Sequence, residues 1–148
     1  MGTASFPRSP YDQLHGLVYL PRLLDKIRLH AAHRLPEDYI SNLGHPEKMD
    51  GFCLRFLGIK YQQLVTYVTS GATDDEIWAW TLKEGKRHSK EEILLWNEYM
   101  RKYGWRDQAS ETLRRRLQEG GYGDRSDIQT FFDFLDLDEG REVLQSRE

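Results

Sequence analysis

Thr73-Asp74-Asp75-Glu76, Ser89-Lys90-Glu91-Glu92 and Ser126-Asp127-Ile128-Gln129 repeat one pattern: a hydroxyl, a Glu or Gln three residues on, and an apolar-periodic run around it or after it. The hydroxyl accepts from an otherwise orphaned backbone N–H, and the Glu or Gln side chain reaches back to the cap residue. Three such helix starts in 148 residues indicate an all-α fold. The Thr73 run carries Ile77, Trp78, Trp80, Thr81 and Leu82, a wide apolar arc that predicts burial on more than one side, with Gly85 closing it. The Ser89 run predicts the longest helix, to Tyr103, with Ile93, Trp96, Tyr99, Met100 and Tyr103 as core stripe and Gly104 as stop. The Ser126 run uses Ile128, Phe131, Phe132 and Leu135.

Toward the N-terminus the same logic gives more helices. Pro21 suits a first helical turn, and Leu20, Leu23, Leu24, Ile27, Ala31 and Leu35 share one face. Pro36 ends this helix or opens another through Ile40. Met49 to Leu57 reads as a short buried helix stopped by Gly58. Tyr61, Leu64, Val65 and Val68 repeat at helical spacing before Gly71. Asp107 is placed to cap a helix with Ala109, Leu113 and Leu117 inward, and Gly120-Gly-Tyr-Gly123 is a break. Leu14 to Leu20 fits either a turn or a short helix, and no convincing strand is visible. The expected architecture is a compact single-domain bundle of about six or seven short helices with mixed crossing angles. An extended arm occupies 1–13, the helical domain 14–137 and a fraying polar tail 138–148.

Composition narrows the function classes. Lys and Arg total 21 against 24 Asp and Glu, so the net charge is -3, and the sequence pI is near 6.0, which disfavours a nucleic-acid partner. Mean hydropathy is -0.73, yet four Trp, eight Tyr and six Phe argue for a packed core rather than disorder. No apolar run reaches membrane-spanning length, and the first residues lack a basic region followed by an apolar one, so neither a membrane partner nor a signal peptide is expected. A lone Cys53 excludes an intrachain disulfide and suits a reducing, cytoplasmic setting.

The densest chemistry lies on the first long helix. Arg22, Lys26 and His30 fall at i, i+4 and i+8, with Arg28 and His33 close by, forming a ridge able to grip a phosphate or carboxylate. The bland alternative is a solvated face in which Asp25 pairs with Arg22 or Arg28. His30 and His33, with His15, His45, Glu37 or Asp38, are metal-like in residue type, but no His-Glu-x-x-His or Glu-x-x-His pattern occurs, so no metal or other cofactor is expected. Cys53, between Phe52 and Leu54, reads as a buried structural thiol. Trp78, Trp80, Trp96 and Trp105 are either core or the lining of an aromatic pocket or contact patch. Arg114, Arg115 and Arg116 fan around a helix and suit local ion pairs. Asp133, Asp136, Asp138 and Glu139 lack calcium-loop spacing and read as solvated acids.

Gly16-Leu-Val-Tyr-Leu-Pro-Arg-Leu-Leu-Asp-Lys-Ile-Arg28, Phe56-Leu-Gly-Ile59, Thr73-Asp-Asp-Glu-Ile77, Trp96-Asn-Glu-Tyr-Met-Arg-Lys-Tyr-Gly-Trp-Arg-Asp107 and Asp127-Ile-Gln-Thr-Phe-Phe-Asp133 together resemble a bacterial family catalogued as domain of unknown function 5069. The resemblance runs from about Ser9 to Arg141 and implies a small all-helical domain. It supplies no catalytic residues.

Two function classes follow. The favoured one is a non-catalytic binding module that uses the ridge for an anionic small molecule and nearby aromatics for a protein partner. The rival is a small enzyme on a phosphorylated or carboxylated metabolite, with Asp25 or His30 as acid–base group and Arg22 or Arg28 opposite the developing charge. The surplus of Trp and Tyr raises self-association into a homo-oligomer as a separate hypothesis.

Overall fold

The computed structural model describes residues 5–143. Among these the chain forms eight α-helices and one two-stranded hairpin. The hairpin pairs β1 (Gln13–Leu14) with β2 (Leu17–Val18), antiparallel. Its two loop residues, His15 and Gly16, both take positive φ (48° and 83°), the pattern of a two-residue primed turn. The apolar stretch before Pro21 is therefore a turn, one of the two forms its sequence suggested, flanked by two short strands that the sequence did not show. Two residues per strand are too few to show alternation. The α6 side chains finish the edge instead: Val18 N–H donates to Asn97 Oδ1, Asn97 Nδ2 to Gly16 O, and Trp96 Nε1 to Val18 O.

The helices are α1 (Leu20–Ala31), α2 (Glu37–Ile40), α3 (Met49–Leu57), α4 (Tyr61–Thr69), α5 (Asp74–Glu84), α6 (Lys90–Lys102), α7 (Ser110–Glu119) and α8 (Phe131–Asp138). Both central helix-start signatures form complete capping boxes. Thr73 Oγ accepts from Glu76 N–H while Glu76 accepts from Thr73 N–H, and Ser89 and Glu92 repeat the exchange. The third signature does not start a helix. Arg125 draws Asp127 into a bidentate ion pair at 2.9 Å, the chain turns, and α8 begins five residues later with Thr130 accepting from Asp133 N–H.

Burial also departs from the sequence reading in two helices. In α5 only Ile77 and Thr81 are buried, because the helix covers the hairpin edge on one side only; Trp78 stacks on His15 and Trp80 on Tyr67. In α6, Trp96 and Met100 are inside, but Tyr99 is 56% exposed beside exposed Leu94 and Leu95.

The apolar residues gather in two clusters. The larger joins α1, α3, α4, α5, α6, the hairpin and Phe132 of α8 around Leu17, Leu20, Leu23, Leu24, Leu64, Ile77 and Met100. The smaller joins α7 and α8 around Leu113, Leu117, Ile128 and Phe134. Val143 belongs to it, and Glu139 is fully covered, so the expected tail at 138 is bound down as far as the structure describes it. Residues 144–148 of that tail, and 1–4 of the arm, lie outside the described residues. The rest of the arm crosses α1: Arg8 grips Asp25 and Asp74, and Ser5 N–H donates to Arg34 O.

Candidate functional site

Charged residues on the buried face of a helix demand partners, since an unpaired charge out of water costs several kcal/mol. On α1 this applies to Arg22, 2% exposed, and Lys26, 5% exposed, one turn apart. Lys26 Nζ meets both oxygens of Asp50, at 3.0 and 2.9 Å. Arg22 meets Glu139 in a bidentate pair at 2.9 and 2.7 Å. Each carboxylate is further saturated. Asp50 accepts from Tyr19 OH at 2.6 Å and from Gly44 N–H at 2.9 Å. Glu139 accepts from Tyr39 OH and from Arg141.

Local chain geometry makes the Asp50 contacts. Tyr19 is the N-cap of α1 and holds a φ of 79°, a left-handed backbone that costs a bulky residue on the order of 1–3 kcal/mol. That conformation carries the chain from the hairpin into α1, and its phenol ends on Asp50. Asp50 sits in the first turn of α3, which packs tightly on the Gly44-His45-Pro46 turn. A Cβ on Gly51 would fall 2.5 Å from backbone atoms of His45 and Pro46, so glycine is required there.

These groups line a cleft of about 560 Å³ where the two apolar clusters meet. One wall is Tyr19, Arg22, Lys26, Met49 and Asp50; the other comes from α7 and α8, with Arg116, Phe131, Phe134 and Leu135. Asp38, Glu47, Lys48, Glu119 and Asp138 are the exposed charged groups at its edge. Lys48 and Arg116 show no ion pair among the described residues and are the two uncommitted cations. Burial lowers the Lys26 pKa more than Asp50 raises it, and Arg22 nearby adds to the lowering. Burial, reinforced by the Asp50 charge, pushes the Tyr19 phenol well above its usual value. Burial works against the Glu139 carboxylate, but Arg22, Tyr39 and Arg141 outweigh it and hold its pKa below the ordinary glutamate value.

The ridge of Arg22, Lys26, Arg28, His30 and His33 expected to grip an anion is therefore divided, and it is not a uniformly solvated face either. Arg22 and Lys26 turn inward to the cleft because Glu139 and Asp50 compensate their charges. Arg28 lies 2.8 Å from Asp74 on another side, where Arg8, Asp25 and Asp74 complete a half-exposed network. Asp25 belongs to that network and not to the cleft, which removes it from the Lys26 chemistry. His30 and His33 are exposed at and beyond the end of α1, outside the cleft lining. His15 pairs with Asp75, and His45 Nδ1 accepts from Glu47 N–H, so the histidines are dispersed.

The tryptophans do not gather either. Trp96 is core, stacked on Phe56. Trp78 and Trp80 are half-buried on α5, and Trp105 is 43% exposed under Arg106. Cys53 is fully buried, and burial raises its thiol pKa, as an inert structural cysteine requires. Asp133, Asp136 and Glu139 are not solvated acids: the first two are 1% and 2% exposed, Asp133 accepting from Tyr11 OH and Asp136 paired with Arg141.

Tyr19, Tyr39, Asp50 and Glu139 were absent from the sequence-based candidates. Asp50 had a readable signal, an acid inside the apolar run Met49 to Leu57, which requires a buried cation. Glu139 had none, since its partner lies 117 residues away.

A family model described as Domain of unknown function (DUF5069) matches residues 4–141. The chain belongs to that family. No curated protein matches it.

Proposed function

We propose that this member of the DUF5069 family is a small-molecule-binding module whose ligand, a small metabolite with one anionic group, seats in the cleft between α1, α3, α7 and α8. The observation that carries the reading is the cleft itself. About 560 Å³ falls in the range of ligand pockets, and it is walled by four buried polar side chains, Tyr19, Arg22, Lys26 and Asp50. Lys48 and Arg116 bind the anionic group on this reading, because the inner cations are already matched. Asp38, Glu47, Glu119 and Asp138 around the mouth repel a polyanion, which disfavours nucleic acid. No helix among the described residues is long and apolar enough to cross a membrane, and we place the protein in the cytoplasm on the strength of its single buried cysteine.

The test is a thermal-shift panel of small carboxylates and phosphomonoesters against their neutral analogues. A ligand that binds only the folded state raises the melting temperature by mass action. The double variant K48A/R116A should abolish the shift while leaving the unliganded melting temperature within about 2 °C, since Lys48 is exposed, Arg116 is half-buried and neither has an ion pair to lose among the described residues. An undiminished shift in that variant refutes the cleft as the anion site.

A further inference from the structure

We infer that Lys26 is a carbonyl-capturing amine, forming a reversible imine with a small aldehyde or 2-oxo acid seated in the cleft. This deepens the proposed function and rests on the cleft being the ligand site. The argument is geometric. The Lys26 side chain is 7% exposed yet lines the cleft, so its amine meets a ligand with little competing water. Asp50 takes Nζ with both oxygens, occupying two of the three N–H directions. The third tetrahedral position is left over, and it is where a lone pair resides once one proton departs.

The pair also tolerates loss of that proton. Asp50 is held by Tyr19 OH and Gly44 N–H as well as by Lys26, so its carboxylate stays anchored whichever form the amine takes. A neutral amine still donates two hydrogen bonds to it. Burial moves Lys26 in that direction, with Arg22 one turn away assisting against the pull of Asp50. A purely structural ion pair needs neither the adjoining cavity nor a strained tyrosine on the same carboxylate.

The step balances without an oxidant or reductant. The ammonium releases one proton to bulk solvent, and the nitrogen lone pair forms a C–N bond as the carbonyl π pair moves to oxygen. Asp50 relays a proton from nitrogen to that oxygen. The first proton returns, the C–O bond breaks with loss of water, and the nitrogen lone pair closes the C=N bond. One ammonium and one carbonyl become one protonated imine and one water. Lys48, from the wall that carries Asp50, and Arg116, from the α7 wall, hold the carboxylate or phosphate of the bound molecule.

The experiment treats the intact folded protein with glyoxylate and sodium cyanoborohydride at pH 7 and maps carboxymethyl-lysine by peptide mass spectrometry. The exposed Lys60, Lys83, Lys86, Lys90 and Lys102 serve as internal references. Lys26 should be modified roughly threefold faster than these or more, because the cleft seats the aldehyde against its amine. The preference should shrink toward pH 10 and vanish in urea. Modification of Lys26 no faster than the references, with the ligand-induced thermal shift intact, overturns the imine and leaves the cleft standing. Absence of both the labelling and any thermal shift overturns the two together.

Discussion

Lys26→Met and Asp50→Leu, made singly and together, examine the contact on which the cleft is built. Removing one partner of a buried, hydrogen-bonded ion pair costs about 3–5 kcal/mol, because the other charge stays out of water. In K26M the stranded Asp50 still accepts from Tyr19 OH and Gly44 N–H, which places the cost near the low end, about 3 kcal/mol. D50L strands the ammonium and leaves the Tyr19 hydroxyl and Gly44 N–H without an acceptor, so its cost is about 4–5 kcal/mol. The double variant buries no charge and leaves only that hydroxyl and N–H unpaired, about 2–3 kcal/mol. The singles together therefore overshoot the double by roughly 5 kcal/mol, a large share of the stability of a domain this size. Urea unfolding at pH 7, followed by tryptophan fluorescence and extrapolated linearly, gives all four free energies. Trp96 of α6, buried against β2, supplies the signal. A K26M cost below about 1 kcal/mol, or single costs that add within about 0.5 kcal/mol, refutes the closed contact between the two side chains.

Two further outcomes are expected alongside the thermal-shift and labelling results. Thr73→Ala, Ser89→Ala and Thr130→Ala should each lose about 1 kcal/mol in urea unfolding, as real N-caps do, while Ser126→Ala stays within about 0.5 kcal/mol of the parent; a full cap cost at Ser126 would contradict the start of α8 at Phe131. The folded-state pKa of Glu139 lies below its unfolded value, so its contribution is present above about pH 4.3 and disappears as the pH falls through the lower folded value. The stability difference between the parent and Glu139→Gln, measured from pH 7 to pH 3, should accordingly be constant down to about pH 5 and then shrink; a difference that grows on acidification would reverse the sign argued for the Arg22 pair.

The helical class, most helix positions and the two capping boxes were legible in the chain, because each depends on contacts three or four residues apart. Thr73 needs only Glu76, and Ser89 only Glu92. Gly58 stops α3 through its own left-handed φ of 70°. The hairpin escaped because its short strands are completed by Asn97 and Trp96 from α6. Residue types on α1 marked Arg22 and Lys26 as chemically important, but helical spacing could not say which way they face. Facing is set by what lies across the interface. Arg22 turns inward only because Glu139 arrives from the far end of the chain, and Lys26 only because the Gly44 turn and α3 bring Asp50 beneath it. Local pattern thus determined where the helices form. Pairing of buried charges over long sequence separations, which no local pattern encodes, decided where the cleft is and which side chains line it.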